Sequence, residues 1–224
     1  MPQMIYSEDD LAALVQQYGF LPFMKNQIPG FSVEEHTPPE FWFAEDQDGP
    51  WEWKGPAIEK AGCAYGKFFR GKAGFVSREW FSDFANYRRD GYDLDAAYDD
   101  GLVRLQDKLA YDALAAEPSL LSRAWHKLTG IQKRSTFDAS VTRLQMQGFV
   151  ITIGFEYMLD KYGNPRGWAI SRYATPENFW GNGFTDHIYD RDPAESGRLI
   201  EQHLTELLPQ ATQAQVLQVI GKRK

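Results

Sequence analysis

Two glutamines separated by one apolar residue form the most distinctive chemical feature of the chain, in the run Gln145-Met146-Gln147. A carboxamide does not titrate near neutral pH, so neither side chain can act as a general base in the usual sense. Two carboxamides can instead orient a water molecule, because each offers a carbonyl acceptor and N–H donors. This chemistry suffices for hydrolysis only when the leaving group departs readily, and positioning then supplies the remaining advantage.

The two glutamines can converge on one water only if a helix ends near Met146. Residues two apart in a helix point roughly 200° away from each other. Gly148 follows the pair, and glycine is common immediately beyond a helix end. Two interpretations therefore stand equally: a water-orienting pair, or ordinary polar positions at a helix C-terminus.

Positive charge is concentrated in two blocks of an acidic chain. The net charge is −7, whereas residues 54–78 carry +5 and residues 119–175 carry +5. The candidate phosphate-binding cations in these blocks are Lys67, Arg70, Lys72, Lys133, Arg134, Lys161 and Arg166. We expect the blocks to form one positive face, and the alternative is that they are solvated faces neutralised within the fold.

A helix predicted over 136–147 presents a polar face with Ser140, Thr142, Arg143 and Gln147. Arginine and glutamine can form bidentate hydrogen bonds with the edges of guanine and adenine. We therefore predict that Thr142 and Arg143 contact DNA if this helix enters a major groove.

Other catalytic and metal-binding patterns are weak. The four histidines are His36, His126, His187 and His203. No two of them stand at HxxxH or HxH spacing, and Cys63 is the only cysteine, so we predict no metal and no cofactor. There is no GxSxG motif, and the glycine-rich turn at 70–74 fits neither Walker A nor GxGxxG.

The elements that would position these side chains follow the order of a winged helix. Helices are predicted over 95–115, 119–129 and 136–147, and a hairpin over 149–173. Asp93 or Asp95 would open the first helix and Ser119 would cap the second. Ser135 and Asp138 form a predicted capping box for the third helix.

The apolar spacing also predicts which side chains form the core of this unit. They are Leu121, Trp125, Leu128, Phe137, Val141, Leu144, Ile151, Ile153 and Trp168.

The predicted fold class is α+β, mainly α, with one winged helix-turn-helix and room for a second, degenerate one. Residues 1–117 are interpreted as an N-terminal helical and hairpin region, 118–175 as the winged-helix domain, and 176–224 as a C-terminal helical extension packed on the body. Within the first region, the proline- and aromatic-rich residues 20–57 are expected to form an ordered wrap.

The run TRLQMQGFVITIGFEY leaves a predicted helix and enters a predicted strand. It resembles the glutamine motif of the AlkZ-type DNA glycosylases, which is Gln-Φ-Gln with an apolar residue at Φ. Gln145, Met146 and Gln147 match this motif. Longer stretches are similar to small bacterial proteins labelled AlkZ-related. They are PFMKNQIPGFSVEEHTPPEFWF, PWEWKG, CAYGKFFRGKAGFVSREWF and DFANYRRDGYD. The AlkZ-type glycosylases are much longer and place the motif early, whereas here only 77 residues follow it.

The resemblance implies a winged-helix protein that binds double-stranded DNA. It also implies that Gln145 and Gln147 are catalytic and orient the water that hydrolyses the N-glycosidic bond of a cationic alkylated purine. The alternatives are a non-catalytic winged-helix module for DNA binding or interaction, and a small-ligand or protein-binding protein built on the aromatic wrap.

The compartment is predicted from what the chain lacks. No apolar run approaches the ~18 residues of a membrane span, and the acidic residues Glu8, Asp9 and Asp10 stand where a signal peptide needs basic ones. A single cysteine fits a reducing environment. We therefore expect a cytoplasmic protein without a membrane partner.

Overall fold

A computed structural model describes residues 3–43 and 46–221. The helices are α1 (Glu8–Tyr18), α2 (Val33–His36), α3 (Pro50–Ala61), α4 (Arg78–Arg89), α5 (Leu94–Asp99), α6 (Leu105–Ala115), α7 (Ser122–Thr129), α8 (Arg134–Met146), α9 (Pro176–Trp180), α10 (Asn182–Thr185), α11 (Pro193–Leu207) and α12 (Gln213–Ile220). The strands are β1 (Phe20–Pro22), β2 (Ala64–Phe69), β3 (Lys72–Val76), β4 (Leu120–Leu121), β5 (Ile151–Leu159) and β6 (Pro165–Ala174).

One antiparallel sheet runs through the molecule in the order β1-β3-β2-β5-β6-β4. The N-terminal hairpin β2–β3 joins the later hairpin β5–β6 through the pairing of Tyr65 with Thr152. The prediction of an α+β, mainly helical fold is confirmed.

Several helix boundaries follow from local capping. The Ser7 side chain accepts a hydrogen bond from the backbone N–H of Asp10, and Gly19 closes α1 with φ +72°. Asp93 caps α5 in the same way by accepting from the N–H of Ala96.

Other boundaries differ from the predictions because distant contacts override local signals. The single helix expected over 95–115 is two helices, broken at Gly101, which has φ +73°. Ser119 does not open α7, because the next two residues pair with β6. The prediction of a capping box at Ser135 and Asp138 is also wrong. Lys133 is the N-cap of α8, and the Asp138 carboxylate accepts a hydrogen bond from Arg134 Nε.

The two α8 residues that test the predicted register of this helix are buried, as predicted. Val141 is 5% exposed and Leu144 is fully buried. Leu128 and Trp168 were wrongly assigned to the core, since they are 57% and 90% exposed. Trp168 lies where the register of β6 shifts against β5, on the part of the hairpin that extends beyond the sheet.

The aromatic-rich segment 20–57 is ordered over its described residues and includes α2 and most of α3. Trp42 and Trp53 are buried, whereas Phe43 is 89% exposed. The wrap is more helical than its composition indicates, because Pro50 occupies the first helical position of α3, where proline is tolerated.

Within the described residues, no helix has the length and apolar character needed to cross a bilayer.

Candidate functional site

Gln145 is a buried residue whose carboxamide is held by two strands. Its Nε2 donates to Thr152 Oγ1 at 3.0 Å, and its Oε1 accepts a long hydrogen bond from the Lys67 backbone N–H at 3.4 Å. The side chain is only 2% exposed and packs over Gly66. Gln145 therefore ties α8 to β2 and β5, and both ends of its amide are engaged by the fold.

Gln147 lies just beyond the last residue of α8 and is half-buried. It lines a cavity of about 160 Å³ together with Arg89, Tyr92 and Phe149. Gln145 is not part of that lining. The helix ends at Met146, as convergence of the two amides requires, but the structure does not bring both carboxamides into this cavity.

Two consecutive arginines of α4 hold the end of α8. Arg88 Nε donates to the carbonyl of Met146 at 2.8 Å. Arg89 donates from Nε to the carbonyl of Gln147 at 3.3 Å and from Nη2 to that of Gly148 at 2.6 Å. The C-terminus of a helix carries partial negative charge, so two guanidinium groups stabilise it there.

Both arginines are buried, and their surroundings compensate for the desolvation. The guanidinium carbon of Arg89 lies 4.3 Å from the centre of the Phe149 ring, and its Nη1 donates to Tyr189 Oη at 2.8 Å. Burial lowers the pKa of Arg88, but arginine stays protonated in proteins. Two positively charged guanidinium groups therefore lie against the backbone of the segment that carries Gln147. Sequence reasoning missed this pair, because nothing in the spacing of α4 indicates which carbonyls it would meet.

Arg143 faces the neighbouring helix α6 rather than outward. Its Nε and Nη2 bind the two carboxylate oxygens of Asp107 at 2.8 and 2.6 Å, and Nη2 also donates to Ser140 Oγ. Asp107 and Ser140 are buried. The hydrogen bonds that Arg143 donates to the Asp107 carboxylate raise the pKa of Arg143. Half of the polar face predicted for this helix thus packs inside the protein.

The outer side of α8 meets the β2–β3 hairpin. Lys67 Nζ donates to Thr142 Oγ1 at 3.2 Å, and the turn residue Gly71 lies against the Thr142 methyl group. Arg70 and Lys72 flank that glycine and are exposed. The hairpin therefore brings cations of the first basic block to the helix of the second.

Of the two cations at the start of α8, Arg134 is engaged by neighbouring side chains and Lys133 is exposed. Arg134 is bound to Asp138 at 2.8 Å and to Ser122 Oγ at 2.7 Å, and it stacks over the Phe137 ring. Lys133 is exposed.

The extended end of the β5–β6 hairpin is basic and aromatic. Arg166 and Lys161 are exposed there, together with Tyr162 (76%) and Trp168 (90%). Asp160 folds the turn by accepting from the backbone N–H groups of Asn164 and Tyr162, and these hydrogen bonds lower its pKa. The exposure of Trp168 was missed because its strand continues past the sheet that would have covered it.

Side chains suited to metal binding or thiol chemistry do not assemble in the described part of the chain. It contains no group of three His, Cys, Asp or Glu residues that could hold a metal ion. Burial raises the pKa of the Cys63 thiol to about 12, so this thiol is protonated at neutral pH.

The different environments of the two glutamines predict different effects on stability. Gln145→Ala is expected to lower the free energy of unfolding by about 2 kcal/mol, because it leaves the buried hydroxyl of Thr152 without its hydrogen-bond donor. Gln147→Ala is the matched control and should change stability by less than about 0.5 kcal/mol. Urea unfolding of the two variants measures this difference, and equal stabilities would contradict a structural role for Gln145.

Comparison with curated proteins and with solved structures gives no match. A family model described as AlkZ related matches residues 5–221. That match covers the glutamine segment, the β2–β3 hairpin and both positively charged regions. The chain therefore belongs to the AlkZ-related family.

Proposed function

We propose that this protein binds double-stranded DNA through a winged helix formed by α6, β4, α7, α8, β5 and β6. The element order and the pairing of β6 with both β4 and β5 support this assignment. Helix α6 packs on α7 and α8, which gives the three-helix part of such a domain. Membership of the AlkZ-related family supports a DNA-directed role.

The observation that carries the proposal is the contact of Lys67 with Thr142, which joins the two basic regions beside the outer side of α8. The exposed cations of this surface and of the extended hairpin form no ion pair with any described residue. They are Lys67, Arg70, Lys72, Lys133, Lys161 and Arg166. Cations without an internal carboxylate partner are available to phosphates.

The side chains of α8 leave few residues that could contact DNA bases directly. Arg143 is engaged with Asp107 and so supports α8 instead of reaching a base edge. Exposed positions of α8 carry small side chains at Ser135 and Ala139. Small side chains let the helix backbone approach DNA closely, and we propose that phosphate contacts supply most of the affinity. In the wing, exposed Trp168 is suited to contact with bases or sugars in the minor groove.

A second candidate function is hydrolysis of the N-glycosidic bond of an alkylated purine. It is favoured by the cavity that Gln147 lines together with Tyr92 and Phe149, since a flat base can pack against aromatic rings. In this proposal Gln147 orients the water, and Gln145 holds the helix end that presents Gln147.

The triple variant Lys67→Ala/Arg70→Ala/Lys72→Ala tests the binding proposal. Each neutralised phosphate contact contributes a slope of about −0.9 to log K against log salt, so losing three should flatten the slope by about 2.7. At physiological salt, affinity for duplex should fall roughly 100-fold. Fluorescence anisotropy with a labelled duplex over a salt series measures both quantities.

A second triple variant of equal charge change provides the control. Arg78, Arg104 and Arg198 are exposed and are not among the cations assigned to the proposed surface. Their replacement by alanine should leave most of the salt slope intact. Wild-type protein that binds no duplex at ~50 mM salt would refute the proposed function.

A further inference from the structure

A cleft separate from the cavity of Gln147 opens where the β2–β3 turn meets α12. Its volume is about 310 Å³, which is at the lower end of the range for small-ligand pockets. Phe69 and Val219 form a buried apolar floor, and Met24, which is 41% exposed, forms one wall. The cleft therefore offers an apolar surface large enough for a small flat group.

The rim of this cleft combines positive charge with an amide. Arg70, Lys72 and Gln218 line it and are exposed. Among the described residues, no hydrogen bond or ion pair engages these three side chains, and no carboxylate is among the lining residues. Two cations without a neighbouring carboxylate favour a phosphate group.

The backbone at Arg70 is the second observation. Arg70 has φ +54° and Gly71 has φ +82°, in a two-residue turn between the paired residues Phe69 and Lys72. Positive φ at both positions favours Asn-Gly, and arginine is less suited to it than asparagine. Strained positions of this kind cluster at functional sites. Here the strained residue is one of those that line the cleft.

We propose that this cleft binds one nucleotide, with its phosphate on Arg70 and Lys72 and its base against Met24 and Phe69. The carboxamide of Gln218 can donate to and accept from the edge of the base. A free nucleoside monophosphate and an unpaired nucleotide of a DNA strand carry the same groups, and both are possible sources.

The strand source rests on the proposed function. Arg70 also lines the adjoining groove that continues past Met146 to Arg88, and Lys67 lies beside Thr142 on the same hairpin. If a DNA strand were bound along this positive surface, the unpaired nucleotide that follows its paired part would reach the cleft. The protein would then prefer duplexes that carry unpaired nucleotides.

Three ligands distinguish the sources: a blunt duplex, the same duplex with unpaired nucleotides at one end, and adenosine monophosphate. Wild-type protein should bind the duplex with unpaired nucleotides about tenfold more tightly than the blunt one. Gln218→Trp fills the cleft from an exposed helical position, so it should abolish that preference and leave blunt-duplex affinity unchanged. Gln16→Trp, on an exposed position of α1, is the matched control.

A second variant separates loss of binding from loss of folding. Arg70→Asn removes the guanidinium but suits the turn better, so its thermal midpoint should equal or exceed that of the wild type. Its affinity for adenosine monophosphate should fall about tenfold, whereas Arg70→Lys should retain most of it.

Two outcomes support the cleft: a preference for unpaired nucleotides that Gln218→Trp abolishes, or binding of adenosine monophosphate that Gln218→Trp and Arg70→Asn weaken. The preference for unpaired nucleotides identifies a DNA strand as the ligand of the cleft. Binding of adenosine monophosphate without that preference identifies the free nucleotide as the ligand. Blunt-duplex binding with neither effect overturns the cleft and leaves the proposed function standing. Nucleotide binding in the cleft without any duplex binding overturns the proposed function instead.

Discussion

Arg143→Met is expected to lower the free energy of unfolding by about 3 kcal/mol. The variant keeps an unbranched side chain of similar length but leaves the carboxylate of Asp107, whose side chain is 7% exposed, without its cation. A buried charge that loses its partner is strongly destabilising. Urea unfolding at neutral pH measures the change. If Arg143→Met were as stable as the wild type and bound duplex more weakly, Arg143 would be a DNA contact, as its position in the sequence predicts.

The double variant Asp107→Leu/Arg143→Met is the control for this prediction. It removes both charges from the α6–α8 contact, so no unpaired group remains. Its stability should recover most of the loss seen in the single variant. A double variant less stable than Arg143→Met would show that packing, not the ion pair, determines the effect.

Gln147→Ala is expected to slow release of an N7-alkylated guanine from duplex DNA by about 100-fold or more, with duplex affinity nearly unchanged. A group that orients the attacking water acts mainly in the transition state, so its loss is seen in the chemical step. Removing one preorganised polar group typically has an effect of about this size. Single-turnover assays of base release, paired with anisotropy, separate the two quantities.

Carboxylate variants at the same position refine this test. Gln147→Asp should retain activity, because a carboxylate can orient the same water and accept its proton. Gln147→Glu should be less active, since one added methylene displaces the water by about 1 Å. Wild-type protein that releases no N3- or N7-alkylated base, or a fully active Gln147→Ala, would leave duplex binding as the only proposed function.

Elements determined by local signals could be predicted from the sequence. The cap at Ser7, the positive φ of Gly19 and the apolar spacing of Val141 and Leu144 each involve residues within a few positions of one another. The short strand β4 could not be predicted, because it exists only through its pairing with Tyr173 and Arg172 of β6.

The candidate site shows the same division. The end of α8 at Met146 was predictable from Gly148, but the neighbours of each glutamine were not. Gln145 is held by Lys67, which is 78 positions away, and Gln147 by Arg89, which is 58 positions away. Polarity alone did not distinguish an outward Arg143 from one paired with a buried carboxylate. Such partners are determined by tertiary packing.

The extended β5–β6 hairpin has a consequence for solubility. The sheet itself ends in short strands, β1 with three residues including Pro22 and β4 with two, so its edges offer little backbone for another chain to pair with. Beyond the sheet, the hairpin is a two-stranded ribbon with exposed apolar side chains at Tyr157, Met158 and Leu159. Register shifts between its strands and the charges of Lys161 and Arg166 oppose edge-to-edge association there. Neutralising those two cations should therefore make this ribbon the first place at which copies of the chain aggregate.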